Sequence, residues 1–240
     1  MQNNKKILLT VAARGGSRGV KDKNIRDLCG KPLIAYTIMQ AKKWGGAECL
    51  ICSTDSEQIA RIAAQYGAEV PFMRPKELAG DTTGKIDVLR HALKTYEGIS
   101  GKRFEILVDL DVTAPIREIR DIQGSVDIFL SKRPKSVFSV TKSRRNPYFN
   151  MVEIGENGYA KIVKNPDRPL LRRQDAPAVY DVNASIYVYD REYILDDITG
   201  SALSDRTLVY VMDEISAFDI DSERDFQFIE YLVTKGVVKL

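Results

Sequence analysis

Cysteine and histidine are scarce in this chain, with three cysteines and one histidine, His91, in 240 residues. Three cysteines are too few for a disulfide framework. Cys49 and Cys52 do form a C-x-x-C, but within Glu48-Cys49-Leu50-Ile51-Cys52-Ser53, which reads as a strand. Residues three apart on a strand face opposite sides, so the two sulfurs do not share a metal, and buried structural thiols are expected. No apolar run approaches the ~18 residues of a membrane helix. The opening MQNNKK leads into a strand rather than a signal peptide's apolar region, so a cytoplasmic protein with no membrane partner is expected. Neither sign of charge dominates: 36 basic against 33 acidic side chains leave a net +3, which does not imply a nucleic-acid surface. Repeats, low-complexity segments and interdomain linkers are absent. So are two familiar phosphate loops, G-x-G-x-x-G and G-x-x-x-x-G-K-[ST].

What is present is an ordinary globular composition, 44% hydrophobic and 29% charged, in a length that suits one domain spanning 1–240. Strands are expected at Lys6–Val11, Leu50–Ser53, Glu69–Met73, Phe104–Leu110 and Ser136–Thr141, alternating with helices at Pro32–Lys43, Asp55–Tyr66, Ile86–Tyr96 and Ile119–Leu130. That alternation predicts an α/β fold with a doubly wound, mostly parallel sheet, whose ligands gather at the carboxyl ends of the strands. After Lys142 the pattern changes. Asn150–Ile162 reads as a hairpin turning at Gly155-Glu156-Asn157-Gly158, and Asn165–Pro177 is irregular. Strands resume at Ala184–Tyr189 and Leu208–Met212, and a last helix opens after Ser222 with Asp225 as its capping partner.

The first strand runs straight into Ala13-Arg14-Gly15-Gly16-Ser17-Arg18-Gly19. Glycines there permit positive φ and close backbone approach, and Arg14, Arg18, Lys21 and Lys23 concentrate positive charge, which together suggest a triphosphate seat. Asp219-Ile220-Asp221 is the complementary signal: in extended chain both carboxylates share a face with Ile220 opposite, a set of hard oxygen ligands suited to Mg²⁺ or Mn²⁺ arriving with a polyphosphate. The alternative is a pair of helix-start acids before Ser222. Asp109 and Asp111 likewise share a face at a strand end, placed for a metal or for a sugar hydroxyl. Arg74-Pro75 and Gly80-Asp81-Thr82-Thr83-Gly84 resemble a binding loop or a plain surface turn. Arg172-Arg173-Gln174 offers a guanidinium grip for a carboxylate, or a solvated charge run.

In order along the chain, ARGGSRGVKDKNI, GKPLIAYTI, STDSEQIA, RPKELAGDTTG, DLDVTAPIR, RRQDAPAVYDVNASIYVY and FDIDSERDF resemble the acylneuraminate cytidylyltransferases, or CMP-sialic acid synthetases. The resemblance implies the nucleotide-diphospho-sugar transferase form of the Rossmann-like sheet and a small β-hairpin dimerisation arm at about 142–180. It also implies transfer of CMP from CTP to the anomeric hydroxyl of a nine-carbon 2-keto sugar acid, with release of pyrophosphate. On the matching positions it assigns Arg14, Arg18 and Lys23 to the triphosphate, and Ala13, Gly15, Asn24, Arg74, Asp81, Thr83 and Asp111 to nucleotide binding. Asp219 and Asp221 fall to Mg²⁺; Asp111, Arg173, Gln174, Tyr180 and Asn183 to the sugar. Arg14, Lys23, Asp219 and Asp221 are the catalytic set so implied, in a cytoplasmic homodimer serving cell-surface polysaccharide biosynthesis.

Three departures bear on the sugar. Asp111 stands where sialic acid enzymes carry the glutamine of QPTSPLR, Asp181 where they carry arginine, and Phe149 near an expected lysine. RNPYFN with YDVNAS is more similar to the bacterial CMP-legionaminic acid synthetases. Rival expectations are a CMP-N-acetylneuraminate or CMP-Kdo synthetase and, more distantly, a non-catalytic nucleotide-binding regulator.

Overall fold

The first strand, β1 (Ile7–Ala12), is apolar on both faces because both are covered. The computed structural model describes residues 6–16, 19–80, 82–165, 170, 172–196 and 203–240. After β1 a tight hairpin, β2 (Asp27–Leu28) with β3 (Lys31–Pro32), leads into α1 (Leu33–Trp44). Then come β4 (Cys49–Ser53), α2 (Glu57–Tyr66), α3 (Lys85–Ser100), β5 (Ile106–Leu110), α4 (Ile119–Lys132) and β6 (Ser136–Lys142). A two-stranded projection, β7 (Val152–Ile154) with β8 (Ala160–Ile162), precedes β9 (Tyr180–Asp190), α5 (Arg191–Leu195), β10 (Thr207–Val211) and α6 (Glu223–Thr234).

Six strands form the main sheet in the order β10-β6-β9-β5-β1-β4. β4 and β5 flank β1 in parallel, β10 lies parallel to β6, and β9 alone is antiparallel to its neighbours. Side-chain alternation sends Leu9 and Val11 into a core built with α1, α2, α4 and α6, and Leu8 into a second core under α3 and α5. Cys52 joins the first core and Cys49 the second, and both thiols are free, so the C-x-x-C spacing spans the sheet as expected of a strand.

The α/β alternation agrees with the sequence expectation except at Glu69–Met73. That segment makes only an isolated bridge from Ile51 to Glu69. Pro71 removes an amide donor there, and a ladder cannot continue through it. The long β9 exceeds the expected Ala184–Tyr189, its outer residues Tyr180–Val182 being exposed and so carrying no buried run to mark them. Between Phe138 and Val140 its pairing with β6 slips through a bulge at Asn183–Ile186, where Ala184 takes φ 52°.

The reciprocal cap expected at α6 is formed: Ser222 Oγ accepts from the Asp225 amide and Asp225 returns a bond to the Ser222 amide. Ser222→Ala is expected to cost about 1 kcal/mol of stability, read from the denaturant midpoint at unchanged slope.

Candidate active site

The carboxyl ends of β5, β1 and β4 lie side by side, and the loops leaving them make a cleft of about 420 Å³. Arg14, Lys23, Asn24 and Arg74 line it, with Thr83, Asp111 and Asp221. Arg18 and Asp81 lie outside the described residues. Ala13 is buried beneath the cleft and its amide bonds to the Ser53 carbonyl, tying the glycine loop to the end of β4.

The loop is shaped from within. Gly16 takes φ 69°, a left-handed conformation that glycine adopts at little cost. The Gly15 amide donates to Asp55 Oδ1 at 2.9 Å, so that donor is turned to the protein. Buried Asn24 donates from Nδ2 to the Arg14 carbonyl at 2.9 Å, fixing the backbone that carries the first cation. Arg14 itself reaches the Ala79 carbonyl at 3.3 Å. Arg74 is buried, with Nε on Ser53 Oγ at 3.1 Å and Nη2 on the Ser53 carbonyl; burial lowers its pKa.

The two ends of the sequence meet here. A Cβ at Gly19 would overlap the carbonyl oxygen of Asp221, so only glycine fits. Lys23 Nζ donates to the Ile220 carbonyl at 2.5 Å and stands 3.4 Å from Asp221 Oδ1. Ile220 is fully buried while Asp219 is half-buried and Asp221 exposed, so both carboxylates are turned away from the core, as the D-I-D spacing predicts. Burial, then the charges of Asp221, Asp225 and Asp111, push the Asp219 carboxyl above the usual carboxylate range. Two carboxylates on one side of the chain, one of them crowded by like charges, fit a divalent cation bound through oxygen. Among the described residues no group of three or more His, Cys, Asp or Glu side chains is placed to hold a metal unaided. The donor set therefore suits Mg²⁺ completed by ligand phosphates.

Asp109 and Asp111 are bridged by Lys85, which the sequence reading missed. Its Nζ lies 2.9 Å from Asp109 Oδ2 and 2.8 Å from Asp111 Oδ2. Burial alone would raise the Asp111 pKa, but the Lys85 charge and hydrogen bonds from Thr113 outweigh it and bring it down to about 2. One signal was available: a lysine opens α3, where the helix dipole disfavours a cation. Arg117 was also missed. Buried under the same turn, it donates to the carbonyls of Asp111, Ala114 and Ser185, and burial lowers its pKa to about 10.

Arg173 and Gln174 line a second cleft of about 600 Å³, with Lys142, Arg144, Asn146 and Glu214. Tyr180 is exposed at the start of β9. Asn183 is buried in the bulge, accepting from Ser139 Oγ at 2.6 Å and donating to the Ser216 carbonyl at 3.0 Å. It thereby holds the turn at Glu214–Ala217, which carries Glu214 of the second cleft and leads through Asp219 to Asp221 of the first.

A family model described as cytidylyltransferase matches residues 8–232. The chain belongs to the cytidylyltransferase family. It is 44% identical over 228 residues to a CMP-N,N'-diacetyllegionaminic acid synthase of Campylobacter jejuni, covering 95% of each chain. It is 43% identical to post-translational flagellin modification protein B of Campylobacter coli, over 95% of this chain and 94% of that one. In fold it is similar to a CMP:2-keto-3-deoxy-manno-octonic acid synthetase solved with CTP, with a TM-score of 0.72 at 15% identity, covering 97% of this chain and all of the other. The resemblance read from the ordered motifs is thus borne out.

Two glycines give opposite expectations. Gly19→Ala forces the loop off Asp221 and is expected to destabilise by about 1–3 kcal/mol. Gly98, inside α3 with open space around it, is expected to stabilise by about 0.5–1 kcal/mol as alanine. Thermal and urea melts of the two variants check both signs.

Proposed function

We propose that this protein transfers CMP from CTP to the anomeric hydroxyl of a nonulosonic acid, and that the acid is of the legionaminic type. The hydroxyl oxygen attacks the α-phosphorus, a new P–O bond forms, the Pα–O–Pβ bond breaks, and pyrophosphate leaves as the hydroxyl proton passes to solvent. One observation carries the reading: the cationic loop residues Arg14 and Lys23 and the acid Asp221 line one cleft, with Lys23 against Asp221 and Asp219 two residues before it in the chain.

Arg14 and Lys23 offset charge developing on the leaving pyrophosphate, joined by Arg18 on the strength of the resemblance. Asn24, Arg74 and Thr83 hold the nucleoside side of the cleft, with Asp81 assigned there by resemblance. Asp219 and Asp221 would hold Mg²⁺, which when bound neutralises phosphate oxygens and acidifies the attacking hydroxyl. Arg173 and Gln174, flanked by Lys142 and Arg144, make the second cleft cationic, which suits the sugar's carboxylate. Asn183 serves both clefts by holding the turn between them.

The arm at 142–180 and the adjoining sheet favour a homodimer. Tyr180, Val182, Val209 and Val211 share one face of the sheet and are each between 43% and 50% exposed. Ile154 and Tyr159 of the hairpin are more exposed still. An apolar surface of this extent is characteristic of an interface. Dependence on CTP favours a cytoplasmic location. No helix among the described residues is long and apolar enough to cross a membrane.

Pyrophosphate release with CTP, Mg²⁺ and a panel of sugar acids tests the reading. N,N'-Diacetyllegionaminic acid is expected to exceed N-acetylneuraminic acid and Kdo by about tenfold or more in kcat/KM, about 1.4 kcal/mol of discrimination; no release with any of them sinks the proposal. Asp219→Asn and Asp221→Asn are each expected to lower turnover by about 100-fold or more, and chelation of Mg²⁺ should abolish it. The parent protein is expected to sediment as a dimer, and Val182→Asp combined with Val211→Asp to sediment as a monomer.

A further inference from the structure

Lys85 is an unexpected residue for its position. It is the first residue of α3, whose N-cap Gly84 supplies no side-chain cap, and a cation there opposes the dipole. Its ammonium is held instead by Asp109, Asp111 and the face of Tyr187, whose ring centroid is 4.2 Å away. Asp109 is 1% exposed and also accepts from Thr10 Oγ1 at 2.8 Å, so it belongs to the interior. Asp111 differs, being 21% exposed and lining the cleft.

The bonds to Asp111 nearly fill its capacity. Oδ1 accepts from the Thr113 amide at 3.0 Å and from Thr113 Oγ1 at 2.9 Å, and Oδ2 accepts from Lys85 at 2.8 Å. A carboxylate offers about four acceptor positions. Among the described residues one remains, on Oδ2. Without Lys85, two neighbouring carboxylates would repel, and a proton taken up by Asp111 would turn an acceptor into a donor.

We infer that Lys85 is a positioning residue for CMP transfer, fixing Asp111 so that its one open acceptor position receives a hydrogen bond from a substrate hydroxyl or amide N–H. The inference rests on the cytidylyltransferase reading. The donor belongs either to the ribose of CTP or to the sugar acid, and the experiment separates the two. Lysine suits the role because a compact ammonium reaches two carboxylates at once, whereas arginine presents a planar fork.

The test uses Lys85→Met, Lys85→Arg, Asp111→Asn and the Lys85→Met/Asp111→Asn double variant, with kcat and both KM values measured separately and melting temperatures recorded. Losing one hydrogen bond to a charged group corresponds to about a tenfold change or more. Lys85→Met and Asp111→Asn are each expected to raise the same KM by about that factor, leaving the other KM and kcat within about twofold. A shift confined to CTP, lost with 2'- or 3'-deoxy-CTP, assigns the donor to the ribose; a shift confined to the sugar assigns it there. The double variant should be no worse than Asp111→Asn alone, because Lys85 acts through Asp111. Lys85→Arg should recover part of the loss. Should Lys85→Met fail to fold, the double variant, relieved of the repulsion between Asp109 and Asp111, is expected to fold and to match Asp111→Asn. An unchanged Lys85→Met, multiplicative losses in the double variant, or kcat and both KM values deteriorating together with melting temperature would overturn the inference. A parent protein that releases no pyrophosphate overturns the functional reading and this inference with it; an active parent indifferent to Lys85→Met overturns the inference alone.

Discussion

Ile220, through its amide and carbonyl, makes two hydrogen bonds that tie the carboxy-terminal segment to the sheet and to the amino-terminal loop. Its amide donates to the Thr113 carbonyl at 2.8 Å, beyond the end of β5, and its carbonyl accepts from Lys23 of the amino-terminal loop. Its side chain is fully buried, so the segment is anchored as well as bonded. The placement of Asp219 and Asp221 follows from that anchor, since alternation leaves them no other side to face. Gly19 completes the arrangement by permitting the loop to lie directly on the Asp221 carbonyl.

The electrostatics divide into a compensated part and an uncompensated one. Asp109 and Asp111 have Lys85, and the Asp111 carboxylate is correspondingly stable as an ion. Asp219 has like charges around it, and its carboxyl is displaced upward. Two D-x-D signatures of the same local pattern therefore differ in chemistry because Lys85 bridges both acids of one pair, whereas Lys23 reaches only Asp221 of the other. That contrast is why a cation is assigned to the carboxy-terminal pair and a hydrogen-bond acceptor to the strand-end pair.

Features set by local rules were legible from the residues: the glycine loop after β1, the capping pair Ser222–Asp225, the opposite faces of Cys49 and Cys52, and the hairpin closing at Gly158. Each depends on neighbours within a few positions. Lys85 and Arg117 were not legible in that way, because their partners lie across the sheet: Asp109 and Asp111 for one, Ser185 for the other. The β9 bulge hid for a related reason, as its outer residues, Tyr180 to Val182, are exposed and the alternation changes phase at the slip. Asn183 was marked by resemblance as a sugar contact, yet its amide bonds to Ser139 and Ser216, a relationship visible only once the strand is folded against its neighbours.

The slip in β9 also governs which way its outer half faces. From Tyr187 to Val182 the strand advances five residues while β6 advances two, from Phe138 to Val140. An odd excess rotates the remaining strand by half a turn, so Val182 and Tyr180 emerge on the same side as Tyr187 instead of the reverse. Inserting or deleting one residue within 183–186 would therefore flip the outward-facing set wholesale, exchanging Val182 and Tyr180 for Asp181 while the inner half stayed in register. Evolution within this architecture thus has a switch of parity: a single codon's gain or loss can rewrite the surface presented to a neighbour without altering one inward-facing side chain beyond the slip.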